Sequence, residues 1–209
     1  VRSELPEAGY GYVKINSFQE GTTEELEKAM KALEKKSAGK LQGLVLDLRN
    51  NPGGLLEEAV AMADKFLEQG VIVSTSSRGK EIDRREAHAE RTDPHYPIVV
   101  LVNEGSASAA EIVAAALQDN KRAILIGSKT FGKGSVQTIF ELGRDAAIKL
   151  TVAKYYTPKG RSIHGQGIAP NIVVASSKKT PPETTPSSQT PQDEPLKIAL
   201  DYLKKKQSD

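Results

Sequence analysis

Ser108 and Lys133 are separated by 25 residues, and each sits in a block that could equip it for chemistry. Asn103-Glu104-Gly105-Ser106-Ala107-Ser108-Ala109-Ala110-Glu111-Ile112 places serines where an apolar run gives way to a helix pattern. Phe131-Gly132-Lys133-Gly134-Ser135-Val136-Gln137 places one lysine between two glycines, with a glutamine four residues on. A serine hydroxyl attacks well only when a base takes its proton, and a lysine amine does this when its pKa falls to roughly 7–8. Burial lowers that value, because desolvation disfavours the charged form. Residues four apart share a face in a helix or a strand, so the Gln137 carbonyl could hold the amine. A third block, Asp47-Leu48-Arg49-Asn50-Asn51-Pro52-Gly53-Gly54, offers glycine N–H groups for an oxyanion. The three blocks together describe a serine hydrolase that uses lysine rather than histidine.

Each block also has a plainer reading. Ser108 with Glu111 three residues on fits a capping box, in which the serine merely opens a helix. In the catalytic reading the same turn exposes the hydroxyl, and the N–H of Ala109 faces an oxyanion. Ser106 competes as nucleophile, and spacing alone does not separate the two. Gly127 to Lys133 fits G-x-x-x-x-G-K, but Gly134 stands where a P-loop needs Ser or Thr, and the next residues alternate like a strand. That pattern lacks the helix N-terminus that holds phosphates, so nucleotide binding is set aside. His88, His95 and His164 show no metal spacing, though any could act as base with Asp47 or Asp93 as orienter. Asp47 and Arg49 read equally well as a structural ion pair, and Pro52-Gly53-Gly54 as a plain turn.

The elements that must carry these blocks alternate between strand and helix. Tyr10–Asn16 alternates like a strand, and Thr22 with Glu25 reads as a capping box opening a helix that Gly39 ends. Strands are expected over 41–48, 71–77, 98–102 and 123–126, with helices over 55–68 and 109–117. Residues 136–142 and 146–155 read as a hairpin around Gly143-Arg144-Asp145, and 168–174 as a last short strand. Residues 78–96 are polar without a core pattern, which marks a candidate lid. The alternation gives an α/β layered domain over 1–175. Residues 176–192 are rich in Ser, Thr and Pro and read as a linker. Residues 193–209 hold a short helix, with Leu196, Ile198, Ala199, Tyr202 and Leu203 apolar, that docks on the domain or on another subunit.

Composition removes several alternatives. The chain has 209 residues and a net charge of +2, without a Lys/Arg stripe, so it carries no nucleic-acid footprint. Cysteine is absent, which excludes disulfides and thiolate metal sites. No apolar run approaches the roughly 18 residues that span a bilayer. The first residue is Val1 and no signal-peptide pattern follows, which reads as a processed or truncated product.

These residues resemble the C-terminal processing peptidases, or tail-specific proteases, over about residues 9–175. The resemblance rests on Gly9-Tyr10-Gly11-Tyr12 with Phe18, on Leu46 to Gly54, on Val102 to Ile112, on Gly127 to Gln137, and on Tyr155 to Ile163 followed by Gly165-Gln-Gly-Ile168. It implies a crotonase-like core of stacked sheets and helices, with Ser108 as nucleophile, Lys133 as base and Gln137 as its orienter. It implies an oxyanion hole from Gly53 or Gly54 and from Ala109, with no metal and no cofactor. Ala110 departs from the family pattern, where many relatives carry a third serine. Expected partners are protein or peptide substrates with exposed C-terminal tails, and a PDZ domain preceding the core. A homo-oligomer is an open expectation. The implied location is the cell envelope, in the periplasm or on the extracytoplasmic face of the membrane. The competing class is a non-catalytic binding module on the same scaffold.

Overall fold

The computed structural model of the chain describes residues 1–38, 40–92, 95–143, 146–174 and 193–208. In chain order the elements begin β1 (Arg2–Glu7), β2 (Tyr10–Lys14), α1 (Thr22–Lys36), β3 (Gly43–Asp47), α2 (Leu56–Asp64), β4 (Val71–Ser77) and β5 (Lys80–Glu86). They continue with β6 (Ile98–Val102), α3 (Ala109–Asp119), β7 (Ala123–Gly127), β8 (Ser135–Glu141), β9 (Ala147–Tyr156), β10 (Ile172–Val173) and α4 (Glu194–Ser208). Six strands form one sheet in the order β1-β2-β3-β6-β7-β10, parallel except for β1 at the edge. The other four form an antiparallel sheet ordered β5-β4-β9-β8.

The central strands read as apolar runs because both of their faces are covered. Val13, Leu44, Leu46, Val100, Val102 and Leu125 point to a core shared with α1, α2 and α3. Their neighbours along the strands, Tyr10, Tyr12, Val45, Val99, Leu101 and Ile126, point the other way and pack against Ala199, Leu200 and Leu203 of α4. The C-terminal helix therefore docks on this domain. The expected linker, 176–192, lies outside the described residues.

Parallel pairing brings the C-terminal ends of β3, β6 and β7 to one end of the sheet. The three blocks singled out by residue type leave from those ends: Arg49–Gly54 after β3, Asn103–Ser108 after β6, and Ser128–Lys133 after β7. Val1 lies at this end too, because β1 runs antiparallel with Arg2 opposite Lys14.

Three expectations need correction. The described residues of 78–96, namely 78–92, 95 and 96, do not form the expected lid. Residues 80–86 are strand β5, held by ladder pairing with β4 and tied to α2 by the Arg85–Glu57 ion pair. β4 and β9 separate it from β8, a span of about 14 Å at strand spacing. The following segment packs at the far end of α3 from Ser108: Thr92 Oγ1 donates to the Leu67 carbonyl, and the Arg122 guanidinium bonds the Tyr96 carbonyl. The turn residues Arg144 and Asp145 of the β8–β9 hairpin lie outside the described residues. The Thr22–Glu25 capping box does not form. Gly21, at φ 82, is the N-cap, and Thr22 Oγ1 accepts the Gln19 N–H instead. The start of α1 is served by Glu58 of α2, whose carboxylate accepts N–H bonds from Gly21 and Thr23. Finally, α2 stops at Asp64, short of the expected Glu68, because Phe66 and Leu67 bond the carbonyls of Ala63 and Asp64 in tight turns.

Candidate active site

Ser108 is the N-cap of α3, with φ 56 and ψ −117. A non-glycine residue holds that backbone only when its surroundings impose it. They do so here. Ala107 donates its N–H to the Asn51 carbonyl at 2.9 Å, and the Ser108 N–H goes to Glu111 Oε2 at 2.8 Å. The serine is half-buried, so its side chain reaches solvent from a fixed turn. Ser108 and Glu111 satisfy the capping-box pattern, so the plain reading and the catalytic one coexist in the same residues.

Ser106 is excluded as a rival by its bonds. It is fully buried, its hydroxyl donates to the Leu48 carbonyl at 2.8 Å, and it accepts the Asn103 N–H at 3.0 Å. It ties the serine loop to the end of β3.

Glu111 does more than cap. Its carboxylate is wholly buried and takes four hydrogen bonds. Oε2 accepts from Ser108 N and Lys133 N, both at 2.8 Å. Oε1 accepts from Gly132 N at 2.7 Å and Thr130 Oγ1 at 2.5 Å. One oxygen thus fastens the backbone of the serine to the backbone of the lysine. The donors, together with the N-terminal end of α3, make a buried anion tolerable without a paired cation. In the sequence Glu111 shows only as the second half of a capping box. Its reach to the 130–133 loop is a contact across 19 to 22 residues that no local pattern carries.

The glycines flanking Lys133 are required by packing. A Cβ on Gly134 would collide with the His164 N and Ile163, and one on Gly132 would stand 3.0 Å from the Gly167 N. Gly165 N in turn bonds the Gly132 carbonyl at 2.9 Å. The 163–167 segment therefore needs glycine opposite it to seat the lysine loop.

The side chains of the expected base and its orienter stand apart from this backbone assembly. Lys133 is exposed, and so is Gln137 in β8. Among the described residues no hydrogen bond links Lys133 Nζ with Ser108 or with Gln137. The burial expected for Lys133 is absent among the described residues: the flanking glycines are buried against 163–167, but the Lys133 side chain points out of that packing into solvent. The two residues also do not share one element: Lys133 lies in the loop that precedes β8.

Around the glycine turn, Gly53 sits hard against the serine. A Cβ there would come within 2.8 Å of Ser108 Cβ and 3.0 Å of Ala109 N. Its own N–H is taken by the buried Asn51 Oδ1 at 2.8 Å. Gly54 is exposed, and no hydrogen bond found among the described residues uses its N–H or that of Ala109. Upstream, Asp47 is fully buried and bonds the Tyr12 hydroxyl at 2.6 Å and Arg49 Nη2 at 2.7 Å. Burial works against its charge, yet Arg49 and the Tyr12 hydroxyl hold the carboxyl below the usual carboxylate range. The other fork of Arg49 takes both oxygens of Asp193 at 2.7 Å, just before α4. The Asp47–Arg49 pair is structural, and it pins the C-terminal helix to the start of the glycine turn. Of the histidines, His88 lies beside Asp64 and His95 beside Glu68, both away from Ser108. His164 is exposed, with its backbone against Gly134.

Fold and site together define a mixed α/β domain with a serine at a hydrolase-type strand–turn–helix junction. The chain belongs to peptidase family S41, whose family model matches residues 9–174. It is 51% identical over 170 residues to a carboxy-terminal-processing protease of Bartonella bacilliformis, covering 80% of this chain and 39% of that protein. It is 43% identical over 198 residues to a carboxyl-terminal-processing protease of Synechocystis, covering 95% of this chain and 44% of the relative. The solved photosystem II D1 C-terminal processing protease superposes with a TM-score of 0.74 at 37% identity, over 81% of this chain and 44% of the other. The chain thus spans about two fifths of the length of these relatives. Tricorn protease shares the fold alone, at a TM-score of 0.54 and 17% identity.

Proposed function

We propose that this chain is the catalytic core of a serine endopeptidase that cuts near the C-terminus of protein substrates, working with a Ser108–Lys133 dyad. The observation that carries the reading is the shared Glu111 oxygen, which holds the Ser108 and Lys133 backbones together. Neutral Lys133 takes the Ser108 hydroxyl proton as Oγ bonds to the peptide carbonyl carbon. The carbonyl oxygen becomes an oxyanion held by the N–H groups of Ala109 and Gly54. Gly53, the other candidate, already donates to Asn51. Lys133 then gives its proton to the leaving amine, and water hydrolyses the acyl-enzyme with Lys133 again as base. Gln137 orients the amine once Lys133 turns inward.

The exposed Lys133 favours a second reading, a binding module on this scaffold without catalysis. Under the first reading a bound substrate or a neighbouring domain covers the lysine and lowers its pKa by desolvation. A PDZ domain preceding the core would serve this, and Val1 at the active end of the sheet suits such delivery. The crotonase-like description of the layers, the cell-envelope location and a homo-oligomer belong to the same proposal and rest on family resemblance.

Digestion of an unfolded protein with an apolar C-terminus separates the readings. The chain should cleave it slowly, and Ser108→Ala should abolish cleavage without unfolding. Lys133→Arg should be as inactive as Lys133→Ala, because arginine stays charged and cannot accept the proton. Substantial activity in Lys133→Arg would remove the lysine from the role of base.

A further inference from the structure

We propose that the free edge of β8 is a docking rail for an extended stretch of the polypeptide substrate, which adds as a further strand beside Lys133. The proposal rests on the peptidase reading for the identity of its occupant and on the sheet geometry for its place.

Three observations carry it. First, β8 closes the order β5-β4-β9-β8, so only one of its sides is paired. The direction of its backbone groups follows from its two ends. Tyr155 N–H bonds the Gly134 carbonyl, and Leu142 N–H bonds the Ala146 carbonyl, both at 2.8 Å. Backbone groups alternate sides along a strand in an antiparallel pair. Even-numbered residues of β8 therefore face β9. The N–H and C=O groups of Ser135, Gln137, Ile139 and Glu141 face outward, with no strand paired to them among the described residues. The register irregularity opposite Val136 puts its extra residue, Val152, on β9 and leaves this alternation intact.

Second, the edge is unguarded where the others are guarded. Exposed strand edges invite pairing and are normally blunted by charge, proline or shortness. β5, at the opposite edge of the same sheet, has six charged residues in seven, Lys80, Glu81, Asp83, Arg84, Arg85 and Glu86. β1 carries Arg2, Glu4, Glu7 and Pro6, and β10 has two residues. β8 reads Ser-Val-Gln-Thr-Ile-Phe-Glu, with one charge at its far end. It also presents exposed apolar side chains: Ile139 is 64% and Phe140 45% accessible, beside Ile148 and Leu150 of β9.

Third, the edge is continuous with the candidate site. β8 begins two residues after Lys133, whose backbone shares a Glu111 oxygen with Ser108. A strand laid along β8 is aimed at the serine, and its passage covers the exposed lysine. Main-chain pairing recognises any extended sequence, with side-chain preference left to the apolar surface, as in β-augmentation.

The test uses the Ser108→Ala chain and a fluorescein-labelled ten-residue peptide with valine at alternate positions. Anisotropy measures binding, and the alternating valines fix which face packs, since a one-residue slip turns every side chain over. Ile139→Pro, added to Ser108→Ala, removes an outward N–H and leaves the β9 ladder intact. It should weaken binding at least tenfold with an unchanged thermal melt. Should that variant fail to fold, two peptides N-methylated on alternate residues decide instead. One set should lose binding and the other retain it. Equal binding by both methylated peptides, binding unaffected by Ile139→Pro, or no peptide binding at all would overturn the rail. So would a dimer, seen in sedimentation, that Ile139→Pro dissolves and the peptide does not, because the edge would then serve a second copy. Failure of the wild-type chain to cleave protein would sink the peptidase reading while leaving the anisotropy result to judge the edge.

Discussion

Ser108 holds a backbone conformation that costs a non-glycine residue roughly 1–3 kcal/mol. Relieving it should be measurable. Ser108→Gly and Ser108→Ala both remove the hydroxyl, but only glycine adopts the turn freely. After the greater unfolded-chain entropy of glycine is offset, Ser108→Gly should be about 1 kcal/mol more stable than Ser108→Ala in urea unfolding. Equal stability would mean that the turn relaxes in the alanine variant. Glu111 sets a sharper test. Glutamine keeps the shape but offers one carbonyl oxygen to a site with two donors on each side. Its amide N–H groups must face the pair Ser108 and Lys133 or the pair Gly132 and Thr130. Glu111→Gln should cost about 3 kcal/mol or more, since bonds to charged groups contribute roughly 1.5–3 kcal/mol each. Turnover of any peptidase activity should fall at least a hundredfold with KM little changed, because the geometry is disturbed and not the substrate surface. Ser108 and Lys133 could be singled out from sequence because residue type and glycine flanks mark them locally. That the Gly53 N–H is already taken could not be read there, because it depends on where the Asn51 side chain points.

At the scale of elements, the strands buried on both faces were readable as apolar runs, and β1 and β5 were not. Both are edge strands with charged, alternating or fully polar sequences, and pairing on one side holds them without a core pattern to show it. The same reason turned an expected lid into a strand. The start of α1 illustrates a second limit. A local capping box at Thr22 was the natural expectation, yet Glu58 from α2 does the capping across more than thirty residues. Burial opposes the charge of Glu58, but the Thr23 hydroxyl and the N–H groups of Thr23 and Gly21 hold its carboxyl below the ordinary range. Its folded pKa is therefore lower than its unfolded value of about 4.3. The stabilisation is fully present above that value and is lost as pH falls through the folded pKa. Glu58→Gln should cost about 1 kcal/mol at pH 7. Melting temperatures of variant and parent should begin to converge as pH falls below the unfolded value and meet once it has passed below the folded one. A gap that does not narrow at all as the solution is acidified would mean that the carboxylate's charge is not what caps α1.

At the scale of the whole molecule, α4 decides whether the main sheet is covered on both sides. A parallel sheet is stable only when both faces are packed. One face is filled by α1, α2 and α3, and the other depends on a helix that arrives after the long Ser/Thr/Pro-rich stretch. The amphipathic pattern of Leu196, Ala199 and Leu203 showed that this helix must dock. The partner face was not readable, because Tyr10, Tyr12, Val45, Val99, Leu101 and Ile126 belong to four different strands. Removing α4 by ending the chain at Val174 exposes that set and also takes Asp193 from Arg49. Leu200 and Leu203 alone represent about 3–6 kcal/mol of burial. A domain of this kind has about 5–15 kcal/mol in total. The truncated chain should therefore lose half or more of its stability, bind a hydrophobic dye such as ANS, and aggregate at concentrations where the full chain is clear. Asp193→Asn isolates the other contribution, and with the pair partly exposed it should cost no more than about 1 kcal/mol. If the truncated chain melts within a few degrees of the full one and binds no dye, another segment must cover the tyrosine face. A truncated chain that stays folded but no longer cleaves would instead place the value of α4 in the Arg49 tether, which holds the start of the turn that carries Gly53 and Gly54 to Ser108.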